Sequence, residues 1–129
     1  MQKKWELILL FVIIIYLDLP PLKFKDLLSR FDNDRITVNY DLGNSASLGY
    51  SIEDEFEAYA NKISDIHIKD RVLNGGSVIL GHGDVNFKYF KNFLNKSSFD
   101  GPIIMQAYRD DEGVEIFSKQ LKWFKNLYL

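Results

Sequence analysis

The chain predicts an α/β fold built on a parallel sheet, and three observations carry that expectation. Apolar, β-branched runs alternate with segments whose apolar residues recur at helical spacing, the alternation occurs four times, and the connections are short. Polar residues gather where each run ends, which is where ligands sit in open α/β sheets and in closed (β/α)₈ barrels.

The first run, Leu7 to Leu17 (LILLFVIIIYL), is unbroken and follows Lys3, Lys4 and Trp5. It is shorter than the roughly 18 to 20 residues that a bilayer span requires. Glu6 and the lack of a small-residue cleavage site argue against a secretory signal. Isoleucine and valine in its second half suit a buried parallel strand, with a membrane or signal segment as the alternative. Pro20 and Pro21 then open a helix carrying Phe24, Leu27, Leu28 and Phe31 on one face. The second run, Ile36 to Tyr40, ends on Asp41, Gly43 and Asn44. Ser51 with Asp54 resembles a capping box for a helix that buries Ile52, Phe56, Tyr59 and Ala60.

The central stretch is ISDIHIKDRVLNGGSVILGHGD, Ile63 to Asp84. Its strand, Ile63 to Lys69, carries His67 and leaves through Lys69, Asp70 and Arg71 into a glycine-rich loop, so a rigid strand end delivers an imidazole and three charges to one mouth. The plainer alternative is a surface βα loop with a hydrogen-bonded histidine. Gly81 and Gly83 allow sharp turning beside this mouth, and His82 between them reads as a loop residue. GHG lacks the later glycine and helix start of a dinucleotide fingerprint. Phe87, Phe90 and Leu94 mark the next helix, with Asp84 as its expected cap. Ile103 to Met105 is a short strand ending at Gln106, Tyr108 and Arg109. The last helix has Asp110, Asp111 and Glu112 at its start, Lys119, Lys122 and Lys125 towards its end, and Val114, Phe117, Leu121, Phe124 and Tyr128 along one side.

Composition narrows the function classes. A chain of 129 residues, 47% apolar and 15% aromatic, suits one domain with a real core and excludes disorder. A net charge of -2 with both signs dispersed leaves no basic stripe for nucleic acid. The absence of cysteine removes disulfides and thiolate metal sites and is consistent with a cytoplasmic location. Any metal falls to histidine, carboxylate or amide oxygen.

DLPPLKF, YDLGNSASLGY, IHIKDR, LGHGDVNF and IIMQAYR, in that order and spacing, resemble the second half of the sugar phosphate isomerase/epimerase family with the xylose isomerase-like TIM barrel. The likeness runs from about Asp18 to the C-terminus. It implies a partial, half TIM barrel of four parallel strands, each followed by a helix, spanning residues 1–129, with 1–15 either a buried first strand or non-native sequence. It also implies a divalent metal (manganese, magnesium or zinc) held on the last four strands by Glu, Asp, His and Glu. Such a metal polarises a ketose carbonyl while the two glutamates move a proton through an enediolate.

Asp41 matches the family Asp and His67 the family His, whereas the two Glu positions fall on Tyr16 and Gln106. Tyrosine titrates near pH 10, and glutamine offers a carbonyl oxygen but accepts no proton at neutral pH. Asp18, two residues beyond Tyr16 and so on the same strand face, is the nearest replacement carboxylate. The expected metal set is therefore Asp41, His67, Asp18 and Gln106, with Asp18 and Gln106 at the catalytic positions. Asn44, Lys69, Arg71 and Arg109 are placed to hold a small sugar or sugar phosphate, arginine matching phosphate by its fork geometry. The plainer reading has Asp41 and His67 hydrogen-bonded to neighbouring backbone and the cations solvated.

A half barrel exposes strand edges and interior side chains, so self-association or docking onto a separate N-terminal half-barrel is expected. The function is then either that of an isomerase/epimerase, inactive if truncation and the missing glutamates disable it, or that of a non-catalytic sugar-binding or assembly subunit. A displaced reading frame or internal start would make the chain a remnant.

Overall fold

The computed structural model describes residues 9–12, 19–31, 36–108 and 113–128. Four strands, β1 (Leu9–Val12), β2 (Ile36–Asp41), β3 (Ile63–Ile68) and β6 (Ile103–Met105), form one parallel sheet in the order β1-β2-β3-β6. Helix α1 (Pro21–Ser29) follows β1, and α5 (Val114–Tyr128) follows β6.

Between these the expected one-strand, one-helix order is departed from twice. Strand β2 runs straight into α2 (Leu42–Leu48) and then α3 (Ile52–Tyr59), while β3 leads into an antiparallel ribbon of β4 (Asp70–Arg71) and β5 (Ser77–Val78) before α4 (Phe87–Lys96). The architecture is an incomplete α/β barrel with mixed parallel and antiparallel strands, not four parallel strands each followed by one helix. Helix α2 escapes the apolar pattern because LGNSASL has no helical stripe. Its ends are specified instead, by Asp41 accepting from the Asn44 N–H at 2.8 Å and by Gly49 at φ +79.

Strand β3 contains a local irregularity that sets the phase of the sheet. Val38 pairs with Ile63, yet Asn39 pairs with Asp65, so Ser64 is an extra residue. The spacing of Ile63, Ile66 and Ile68 is uneven for this reason. Beyond the bulge, Ile66 and Ile68 join Val38 and Tyr40 in the buried core, where Tyr40 meets Phe56 of α3 at 5.0 Å. Asn39, Asp41, Asp65 and His67 take the opposite face.

The helical layer is closed by aromatic side chains, including a stacked pair of Phe56 and Phe93 at 3.9 Å and an edge contact of Phe24 and Tyr59 at 5.1 Å. Two expectations are corrected in this layer. Val114 is 81% exposed, and α5 instead buries Ile116 and Gln120. Gln120 earns its burial through hydrogen bonds, accepting from the Leu80 N–H at 3.0 Å and donating to Tyr108 O at 2.8 Å. Helix α4 is capped by Asn86, not Asp84, because Asp84 accepts from the Leu73 N–H at 2.6 Å. Ser51 does cap α3 as expected, accepting from the Asp54 N–H at 3.1 Å. Among the described residues, no helix is long and apolar enough to cross a membrane.

Glu55 of α3 is 1% exposed and receives three hydroxyls, from Tyr40 at 2.5 Å, Tyr59 at 2.9 Å and Ser45. Burial raises its carboxyl above the ordinary value, the three hydroxyls partly offsetting this, and burial together with the Glu55 charge raises the Tyr40 and Tyr59 phenols. The tyrosines therefore remain donors. The folded state holds the Glu55 proton more tightly than the unfolded chain does. This group's stabilisation is complete below the ordinary Glu value and is lost as pH rises through the raised one. Glu55→Gln should flatten that slope in thermal melts across mildly acidic to neutral pH while keeping the fold. Glu55→Ala, which orphans three hydroxyls, should cost about 3 kcal/mol.

Candidate functional site

The C-terminal ends of β2, β3 and β6 lie side by side. Asp41 is in register with His67, and His67 with Ile104, so the first two side chains emerge from adjacent strands on one face. The Gln106 N–H bonds Ile68 O at 2.8 Å, which extends the β3–β6 pairing one step and aligns Gln106 with Lys69. Lys69, Gln106, Ala107, Tyr108 and Ser77 line a cleft of about 520 Å³ at this end of the sheet.

Asp41 is 2% exposed, and one of its oxygens caps α2. Burial raises its carboxyl, opposed by the Asn44 and Gly43 N–H groups and by the neighbouring Lys69 and His67. Gly43 is needed here because a Cβ would lie 2.9 Å from Lys69 Cγ and 3.0 Å from the Lys69 carbonyl carbon. The Asp41 cap and the Gly43 contact together seat α2 against the exit of β3.

His67 turns Nε2 towards the sheet. That nitrogen lies 3.0 Å from Asn39 Nδ2 and 3.6 Å from Asp65 Oδ2, and Asn39 Nδ2 is 2.5 Å from the same Asp65 oxygen. The other Asp65 oxygen accepts from Ser64 Oγ at 2.8 Å. Asn39 and Asp65 lie two residues before Asp41 and His67 on the same faces of their strands, inside the strands and not at their polar ends, so strand-end polarity did not point to them.

The remaining expected residues divide. Asn44 and Arg71 meet, Arg71 Nη1 donating to Asn44 Oδ1 at 3.1 Å, while Arg71 Nε and Nη2 donate to Gly75 O at 3.0 and 2.5 Å. Arg71 thus ties the β4–β5 turn to the start of α2. Tyr16, Asp18 and Arg109, with Asp110, Asp111 and Glu112, lie outside the described residues.

Asp70 was expected only as a charge at the mouth. It is fully buried, and its carboxylate gathers the N–H groups of Gly81 and Gly83, both at 2.9 Å, and of Val85 at 3.2 Å. Gly81 adopts φ +86, and a Cβ on Gly83 would lie 2.3 Å from Asp70 Oδ1. The GHG sequence is therefore the shape needed to wrap one carboxylate.

Asp41, His67 and Gln106 offer carboxylate, imidazole and amide oxygen on three neighbouring strands, a donor set that fits a divalent cation in part. Among the described residues, no group of three or more metal-ligating side chains of the His, Asp and Glu type comes together, so that set is open.

The sheet, its polar exits and the motif order define a class. A family model described as xylose isomerase-like TIM barrel matches residues 21–127, and the chain belongs to that family. Among particular proteins it is similar to the inosose dehydratase of Lacticaseibacillus casei, 27% identical over 119 residues, covering 78% of this chain and 40% of that protein. Among solved structures it is similar to a xylose isomerase domain protein from Planctomyces limnophilus, with TM-score 0.69, 20% identity and coverage of 85% of this chain and 42% of that one. It is also similar to the IOLI protein with a binding zinc atom, with TM-score 0.66, 17% identity and coverage of 82% and 42%. The chain thus spans about 40% of the length of the curated relative it matches.

Asp70→Asn keeps the size of the side chain but replaces one accepting oxygen with a donor, facing N–H groups with N–H. We expect a loss of about 1–3 kcal/mol and faster amide exchange at Gly81, Gly83 and Val85 than elsewhere in the core, read by hydrogen-exchange mass spectrometry.

Proposed function

We propose that this chain is the C-terminal half of a sugar isomerase/epimerase-type barrel acting on a small, hydroxylated ketone such as a ketose, a ketose phosphate or an inosose. The observation that carries this reading is the in-register pairing of Asp41 with His67 at the exits of adjacent strands. Asp41 and His67 would hold a divalent metal (zinc, manganese or magnesium), with Gln106 and Asp18 completing the set. The zinc atom of the IOLI protein supports the metal, and the inosose dehydratase likeness supports a small hydroxylated ketone as substrate.

A metal bound there supplies polarisation of a carbonyl and its neighbouring hydroxyl. The chain's own residues do the rest. Asp18 is the carboxylate assigned to proton transfer, and Gln106 orients a substrate hydroxyl through its amide. Lys69 at the cleft meets the negative end of the substrate, with Arg109 and Asn44 as further holding groups, while Arg71 acts through the loop it ties to Asn44. Gln106, where the resemblance implies a glutamate, favours a second reading as a sugar-binding subunit that retains the pocket without the proton-transfer pair.

The two readings separate in one assay. With added manganese, the isomerase reading expects solvent deuterium to enter a ketose at the carbon beside the carbonyl, with Asp41→Asn lowering the rate at least tenfold. Binding of the ketose without exchange favours the subunit, and neither binding nor exchange overturns both.

The partner follows from the same architecture. Strands β1 and β6 are the outer strands of the described sheet, and β6 presents Ile103 and Ile104 at 40% and 43% exposure. We take these edges to be completed by a second copy or by a separate N-terminal half-barrel, in a cytoplasmic setting. Sedimentation at micromolar concentration should show a species larger than 15.1 kDa that Ile104→Lys shifts towards the monomer. A well-folded monomer of the unaltered chain would count against it.

A further inference from the structure

We propose that Asn39 and Asp65 are positioning residues for His67, fixing its ring proton on Nδ1 and providing an acceptor for that proton's counterpart on Nε2 when Nδ1 is taken by a ligand. The cluster sits one step below the mouth, with Asn39 and Asp65 each 7% exposed. It deepens the metal reading above but stands on its own geometry.

Asn39 can be oriented in only one way. Its Nδ2 is 2.5 Å from Asp65 Oδ2, and turning the amide over would set its oxygen against a carboxylate oxygen. The same Nδ2 therefore presents its second hydrogen to His67 Nε2 at 3.0 Å. A neutral imidazole facing a donor must accept there, which leaves the proton on Nδ1. Nδ1, the ring nitrogen that does not face this pair, makes no hydrogen bond to a described residue. Without a metal, His67 offers the site an N–H donor suited to a sugar oxygen.

Were a metal held through Nδ1, the ring hydrogen would have to sit on Nε2, where Asn39 Nδ2 is also a donor, so Asn39 favours the metal-free tautomer and Asp65 the other. Asp65 Oδ2, 3.6 Å away, is the acceptor already in place. A carboxylate behind a ligating histidine fixes ring orientation and raises ligand basicity, and its loss typically weakens metal binding 10- to 100-fold. Among the described residues, Asn39 Oδ1 is buried without a partner, so the cluster is not fully satisfied as it stands.

The test uses the full chain carrying His82→Gln, so that exposed His82 does not overlap, and labelled with ¹⁵N-histidine. Long-range ¹H–¹⁵N spectra of the metal-free protein at pH 8 should show His67 as the Nδ1–H tautomer. Asn39→Ala removes the donor, leaves Asp65 facing Nε2, and should switch the ring to Nε2–H. The Nε2–H form in the unaltered cluster, or a tautomer indifferent to Asn39→Ala, overturns the proposal. Calorimetric zinc titration of Asp65→Asn, which keeps the side-chain shape, should show 10- to 100-fold weaker binding, and unchanged affinity would remove Asp65 from the proposal. Zinc failing to bind the unaltered chain would sink the metal reading and with it the role of Asp65, while the tautomer spectra would still decide the role of Asn39.

Discussion

The pairing of β2 with β3, including the extra residue at Ser64, is the constraint on which the site depends. A one-residue change of register sends every following side chain to the other face of a strand. Without the bulge, the alternation beginning at Ile63 would place Asp65 and His67 with the core-facing set and Ile66 and Ile68 on the polar side. With it, two isoleucines enter the core and two polar residues stand opposite Asn39 and Asp41. Burying Ile66 and Ile68 contributes roughly 1.5–3 kcal/mol each. The hydrophobic gain on one face thus holds the polar constellation in place on the other.

Two short polar devices then bring the loops to that constellation. Asp41 ends β2 and starts α2 in the same residue, so the helix begins beside the β3 exit and not some distance away. Asp70 does the equivalent for the next connection, drawing Gly81, Gly83 and Val85 around its carboxylate. Both carboxylates are buried and both are raised by that burial. Their hydrogen bonds to backbone N–H groups act in the opposite direction and are what make burial tolerable. Loops after strands are usually the variable part of such a fold, and here two of them are tied down by aspartates belonging to the strands' own exits.

The alternation of apolar runs with helical stripes was enough to read the strands β2, β3 and β6 and the helices α1, α3, α4 and α5 nearly at their observed bounds, because each is apolar in sequence at the spacing of its element, even β6, whose Ile103 and Ile104 remain exposed. Helix α2 and the β4–β5 ribbon were not legible, since LGNSASL and DRVLNGGSV have no apolar period and are specified by caps and turns. The strand Leu9–Val12 was legible as part of a longer apolar run, though only its backbone pairing with β2 bears on that reading. For the candidate site, Asp41, His67, Lys69 and Gln106 lie at or just beyond strand ends, where the sequence placed them. Asn39 and Asp65 lie inside their strands, two residues before Asp41 and His67, where polar strand ends do not point, and Asp70 was mistaken for a mouth charge because a sequence does not show which carboxylate a glycine loop encloses.

The polar face of the sheet departs from the usual filling of such a fold. The interior of a closed barrel of this kind is normally filled by branched apolar side chains in layers. Here the corresponding face carries Thr37, Asn39, Asp41, Asp65 and His67, and among the described residues Thr37 Oγ1 and Asn39 Oδ1 are buried without partners. Each such orphan costs about 1–3 kcal/mol. A sheet that was complete as it stands would gain by replacing them with valine or isoleucine. The partner proposed at the outer edges of β1 and β6 would offset that cost if its strands closed over this face and supplied partners for these oxygens. A single proposed partner would then serve both the floor of the site and the outer edges of the described sheet.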